Sequence, residues 1–72
     1  MMKWHKLTRK NLPREDECVL VSYVCSGERF PDACYVARLG QDYEGYAAWD
    51  TGSQFYPVHD TDRWAYIELP ED

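Results

Sequence analysis

Five side chains of this 72-residue chain have the chemistry to hold a soft metal or to supply a nucleophile and base: Cys18, Cys25, Cys34, His5 and His59. Zinc sites draw on close pairs such as C-x2-C or H-x3-H, because one small tetrahedral ion must be reached from few backbone turns. No such pair occurs here, and the spacing of Cys18 and Cys25 puts the two thiols on opposite faces of a strand. Cys34 and His59 have the types of a thiolate–imidazole pair, but no third group to orient the base and no oxyanion loop is evident. No catalytic residue, metal ligand or cofactor contact is therefore expected. Cys25 and Cys34 have the spacing to face each other across a hairpin, yet free, partly buried thiols are the preferred reading of all three cysteines in a reducing compartment.

The carboxylates fall into short groups. Asp50-Thr51-Gly52-Ser53 matches the signature of the loop that presents an aspartic-protease carboxylate. That chemistry needs two carboxylates sharing a proton, hence a second loop or a symmetric dimer. The nearest candidate for a bracing segment, Leu39-Gly40, precedes the loop instead of following it. A tight turn with Gly52 at positive φ is the expectation. His59-Asp60-Thr61-Asp62 sets acids beside an imidazole, a loose cation site at most and a solvated loop by default; Glu15-Asp16-Glu17 reads as a solvated turn.

Aromatic residues carry the strongest functional signal. The chain has three Trp, six Tyr and two Phe, and each can bury about 150–250 Å². That surplus suits a short chain, which hides only roughly 60% of its unfolded surface, and it exceeds what so small a core can hide. Tyr43, Tyr46, Trp49, Tyr56 and Tyr66 are the candidates for an exposed protein-binding patch, against the simpler reading that they complete the core.

The elements that must position these groups are strands. Cys18-Val19-Leu20-Val21-Ser22-Tyr23-Val24-Cys25 is the longest run free of charge, Gly and Pro, and reads as a central strand buried on both faces. Ser26 to Asp32 reads as a loop, residues 33–39 as the return strand of a hairpin, and Gly40 to Gly45 as a turn. Tyr46 to Trp49 and Gln54 to Val58 are two further short strands, the second an edge or bulged because Pro57 cannot donate to a ladder. Arg63 to Leu69 fits a helix capped by Asp60 or Thr61 and closed by Pro70, but its aromatic and β-branched content favours a strand. One helical turn is allowed after Pro13. The fold class expected is mostly β, or small α+β: a compact, largely antiparallel sheet of four to five short strands with at most a turn or two of helix. A single domain spans 1–72, with a basic arm and Leu-Pro turn over 1–17, the central hairpin over 18–39 and further strands over 46–69.

Trp4, Leu12-Pro13, Val19-Leu20-Val21 and a late Trp64 followed by Leu69-Pro70 together resemble the domain-of-unknown-function 551 family of small phage and prophage proteins. The resemblance spans nearly the whole chain and implies a tryptophan-led arm, a Val-Leu-Val strand and a closing strand, with Trp4, Leu12, Leu20 and Trp64 in the core. Asp62-Arg63 stand where that family has Thr-His, and Trp64 is farther from the closing Leu-Pro than in that family. The family has no established activity, so the resemblance implies a context and not a reaction.

Charge narrows the partners. Residues 1–14 hold five bases and no acid, whereas residues 15–72 hold three bases against thirteen acids, for a net charge of −5 overall. Repulsion from phosphates argues against general nucleic-acid binding, and the basic arm is expected to neutralise acidic loops of its own domain. No apolar leader follows Met1-Met2-Lys3-Trp4 and no window is apolar enough to span a bilayer, so a cytoplasmic protein is expected. The function expected is that of a small non-enzymatic accessory protein of phage type acting through a protein partner or by self-association. The alternatives are an acidic mimic of nucleic acid that blocks a host DNA-handling protein and, more remotely, a small hydrolase.

Overall fold

Val19, Val21 and Tyr23 alternate with Leu20 and Ser22, and this period of two sets the architecture. In the computed structural model, which describes residues 2–71, the chain forms β1 (His5–Lys6), β2 (Val19–Cys25), β3 (Glu28–Gln41), β4 (Ala47–Asp50), β5 (Phe55–Pro57) and β6 (Arg63–Tyr66). The ends of the expected domain, Met1 and Asp72, lie outside the described residues. The strands make one antiparallel sheet in the order β1-β6-β2-β3-β4-β5. The all-β architecture agrees with expectation, with six strands in place of four to five.

β2 is central, flanked by β6 and β3. Register places Val21 opposite both Trp64 and Tyr35, Val19 opposite Tyr66 and Ala37, and Leu39 opposite Trp49. Residues directly opposite in an antiparallel pair share a face, so these side chains line one surface. Val19, Val21, Ala37, Trp49 and Trp64 are its buried centre, with Leu7, Tyr35, Leu39, Val58 and Tyr66 packed around them. The expectation that β2 is buried on both faces is corrected: Tyr23 and Cys25, at the end of the core face, are exposed, and on the other face Cys18 is exposed, Leu20 is half-buried and Ser22 is buried.

β3 is the element that shapes the sheet. It pairs with β2 as far as Ala37 and with β4 from Arg38 onward, so one strand serves both halves. It begins earlier than the expected loop allows because Ser26 (φ 52°) and Gly27 (φ 81°) both take positive φ and close a two-residue hairpin. The residues expected as a loop, 28–32, therefore lie in the strand. Between the pairs Ser22–Cys34 and Val24–Arg29 the register shifts, and Pro31 sits in that irregular stretch, where no ladder donor is required of it. The expected turn at Gly40-Gln41 is likewise strand and pairs with Ala47-Ala48.

No helix forms among the described residues, so none is long and apolar enough to cross a membrane. The turn allowed after Pro13 closes through Glu17 N–H donating to the Arg14 carbonyl (3.2 Å), with Asp16 at φ 60°. That left-handed residue is incompatible with a right-handed helix. Arg63–Tyr66 is strand, as its composition favours, and Pro57 lies on the edge strand β5. Of the four expected core anchors only Trp64 is buried; Trp4 and Leu12 are exposed and Leu20 is half-buried.

Candidate binding cleft

The face that carries Val19 and Val21 continues along β2 to Tyr23, beyond the reach of the buried centre. Tyr35 on β3 stands next to it, with ring centroids 5.7 Å apart, and Tyr56 on β5 approaches Tyr35 from the other side at 5.0 Å. Tyr56 reaches this place because it pairs with Trp49, a residue of the core face. Successive rings are tilted by 41° and 42°, so they form a curved wall instead of a flat stack. With Val24, Pro57, His59 and Asp62 they line an open cleft of about 480 Å³, within the range of about 300–1,000 Å³ usual for ligand sites.

Asp62 forms part of the lining although it is only 1% exposed. Its Oδ2 accepts two hydrogen bonds, from the Trp49 indole Nε1–H (3.0 Å) and from the His59 backbone N–H (2.9 Å). The first ties β4 to the loop before β6, and the second closes that loop on itself, helped by Asp62 N–H donating to the His59 carbonyl (3.0 Å). Oδ1 has no hydrogen-bond partner among the described residues. No cationic side chain among the described residues lies within ion-pair distance of Asp62; the ion pair Arg14–Glu17, at 3.2 Å, lies at the Tyr66 end of the sheet. Arg29 and Arg63 are turned onto backbone carbonyls, Arg29 onto those of Ser22 and Thr61 and Arg63 onto those of Asp60 and Asp62. Burial, reinforced by the Asp62, Tyr56 and Tyr23 charges, pushes the Tyr35 phenol well above its ordinary value. Tyr35 thus stays a neutral ring at physiological pH.

The expected patch does not assemble. Trp49 is fully buried, 0% exposed, and serves the core and Asp62, which corrects its place on the surface. Tyr43 (96% exposed) meets the edge of Phe55 at 5.1 Å, and Tyr46 is exposed beside the same turn. Tyr66 belongs to the far end of the sheet, against Trp64 and Arg14. Only Tyr56 of the five lines the cleft. Tyr23 and Tyr35 were missed because they sit inside apolar strands that read as core. The available signal was the period-two continuation of Val19 and Val21 to Tyr23.

The chemistry-bearing residues are also placed. Cys34 and His59 do line the same cleft, but the thiol makes no hydrogen bond to the imidazole, and Asp62 engages the backbone of His59 and not its ring. Cys18 and Cys25 are exposed, which corrects the partial burial expected of them, whereas Cys34 is half-buried as expected. Cys34 faces Ser22 and Cys25 faces Glu28, so the two thiols whose spacing allowed a pair across the hairpin are apart, and all three cysteines are free. No three His, Cys, Asp or Glu side chains among the described residues converge as a metal site would need. Asp50 Oδ1 accepts the Gly52 N–H (2.8 Å) and Thr51 Oγ1 accepts the Gln54 N–H (3.1 Å), which makes that loop a self-satisfied turn with Gly52 at φ 94°.

No family model, curated protein or solved structure matches the chain.

Proposed function

We propose that the chain is a non-enzymatic binding domain that captures a protein partner in the tyrosine cleft, as a small cytoplasmic accessory protein of the phage type the sequence resembles. The observation that carries this reading is the wall of Tyr23, Tyr35 and Tyr56 at the open end of the core face. Tyrosine is an effective contact residue because it offers a large rigid ring and a polar tip at the cost of two rotatable bonds. Here the Tyr23 and Tyr35 hydroxyls bond to no described residue, so they are available to a ligand. Three cysteines without disulfide partners support a reducing compartment.

The test is affinity capture with the tagged chain, comparing wild type, Tyr56→Leu and Tyr43→Ser at low and high salt. A partner held by wild type and Tyr43→Ser but lost from Tyr56→Leu is the expected result. Equal capture by all three sinks the cleft as the binding surface. Capture of a DNA-binding protein that vanishes with salt in all three would favour acidic mimicry instead.

A further inference from the structure

We infer that the cleft is a receptor for an organic cation, a lysine or arginine side chain presented by the partner protein. This rests on the binding reading above and adds the chemistry of what is bound. A carboxylate that is 1% exposed normally has a cation beside it, because an uncompensated buried charge is costly. Asp62 has none within ion-pair distance among the described residues. Its Oδ2 is occupied by the Trp49 and His59 N–H groups, while Oδ1 of this cleft-lining residue bonds to no described residue.

The aromatic wall argues for the same occupant. The face of a phenol ring is electronegative, and cations are held over such faces more strongly once water is displaced. Tyr35 stands between Tyr23 and Tyr56 with tilted rings, so several faces turn toward one volume. An anionic ligand would meet those faces and Asp62 together, and a purely apolar one would leave Oδ1 dry and unpaired. A cation on an alkyl stem satisfies both features: its stem lies against Val24 and Pro57, and its head takes the place of the missing counter-ion. Net charge adds to this, since a chain at −5 attracts a basic segment at long range.

The chain already contains one example of this chemistry. The Arg14 guanidinium lies 4.3 Å from the centroid of the Tyr66 ring, and Glu17 supplies its carboxylate at 3.2 Å. In the cleft the ring and the carboxylate are in place and the cation is the part that must come from outside.

The experiment is an NMR titration of the full chain with three blocked amino acids: N-acetyl-lysine methylamide, its arginine counterpart and the norleucine counterpart, which keeps the stem and removes the charge. Saturable shifts at Tyr23, Tyr35 and Tyr56 with a cationic probe, about tenfold weaker with norleucine, are expected. Asp62→Asn keeps an oxygen for the Trp49 and His59 donors while removing the charge, and lowers affinity for the cation by a similar factor. Should that variant unfold, Tyr56→Leu gives the same answer from the aromatic side. Equal binding of norleucine, or no saturable shift with either cation, overturns the inference. If Tyr56→Leu nonetheless loses the protein partner, the binding function stands and only the cation assignment fails. Cation binding without any captured partner gives the opposite division.

Discussion

Two aromatic clusters stand at opposite ends of the core face, and they differ in whether their indole and phenol groups are hydrogen-bonded. At the β1–β6 end, His5 stacks on Trp64 at 4.5 Å and Tyr66 meets Trp64 edge-on at 5.0 Å. The Trp64 indole and the Tyr66 phenol there each have a partner: Trp64 Nε1–H donates to the Asn11 carbonyl (3.2 Å), Arg14 N–H donates to the Tyr66 hydroxyl (3.1 Å), and the Arg14 guanidinium covers the Tyr66 ring. At the β2–β3–β5 end the rings of Tyr23, Tyr35 and Tyr56 are as close, but the Tyr56 hydroxyl alone is bonded, to Gln54 Oε1 (2.5 Å). One cluster is finished by its own chain; the other ends in a cleft. Aromatic content alone therefore does not separate the two clusters, whereas the Tyr23 and Tyr35 hydroxyls, which bond to no described residue, do.

Loss of Trp64 should have the largest effect on folding. It is 1% exposed, and its Ala variant removes a core ring while leaving the Asn11 carbonyl and the His5 ring unpaired. Removing a buried Trp costs about 3–5 kcal/mol, as much as the whole net stability expected of a domain this small, about 3–5 kcal/mol. Circular dichroism of Trp64→Ala should show an unfolded chain at room temperature, whereas Tyr56→Leu at the other end should stay folded. Equal loss of structure in the two would erase the distinction between a finished and an open cluster.

Asp62→Ala sits between the two cases. It orphans the buried Trp49 indole N–H and the His59 N–H, and leaving one buried donor unmade costs about 1–3 kcal/mol. Asp62→Asn should recover most of that loss, since an amide oxygen still accepts both bonds. Urea denaturation of the pair separates the structural role of Oδ2 from any role of the charge. If Asn is as damaging as Ala, the charge itself is needed for folding.

How much of this was legible follows from where each contact is made. Val19-Leu20-Val21 announces a strand, and the alternation 19, 21, 23 and 35, 37, 39 marks the side that packs. The Gly and Pro content around 26–32 reads as a loop, because the hairpin and the bulge carry the same residues a loop would. The cleft was hidden for a different reason. Tyr56 comes to Tyr35 only because β3 passes from β2 to β4 at Ala37-Arg38 and carries β5 with it, and no local pattern encodes that passage. Asp62 was equally obscure, since an acid in a polar tetrapeptide gives no sign of an indole thirteen residues earlier in the chain.

Alkaline pH sharpens the contrast without changing the neutral protein. The folded state raises the Tyr35 pKa above the ordinary 10.0, chiefly by burial and further by Asp62 and its tyrosine neighbours. The folded chain then keeps a proton that the unfolded chain releases, so this contribution is whole below pH 10.0 and is lost as pH climbs through the higher folded value. Wild type should lose stability between about pH 9 and about pH 11 more steeply than Tyr35→Phe, which has no phenol to ionise. Parallel denaturation midpoints for the two proteins across that range would mean the ring is not held neutral by its site.

Tyr56→Leu should have the smallest effect on folding and the largest separation between folding and binding. The ring is 40% exposed, its hydroxyl bond to Gln54 lies at the surface, and leucine keeps an apolar contact for Tyr35. The loss in stability should be no more than about 1 kcal/mol, the size of one aromatic pair. Leucine has no electronegative face, so whatever cation the cleft holds should leave with the ring. A variant that melts beside wild type yet fails to bind would assign Tyr56 to recognition. One that melts far below wild type would instead make the cleft rings part of the core, finished in the same sense as Trp64 and its neighbours.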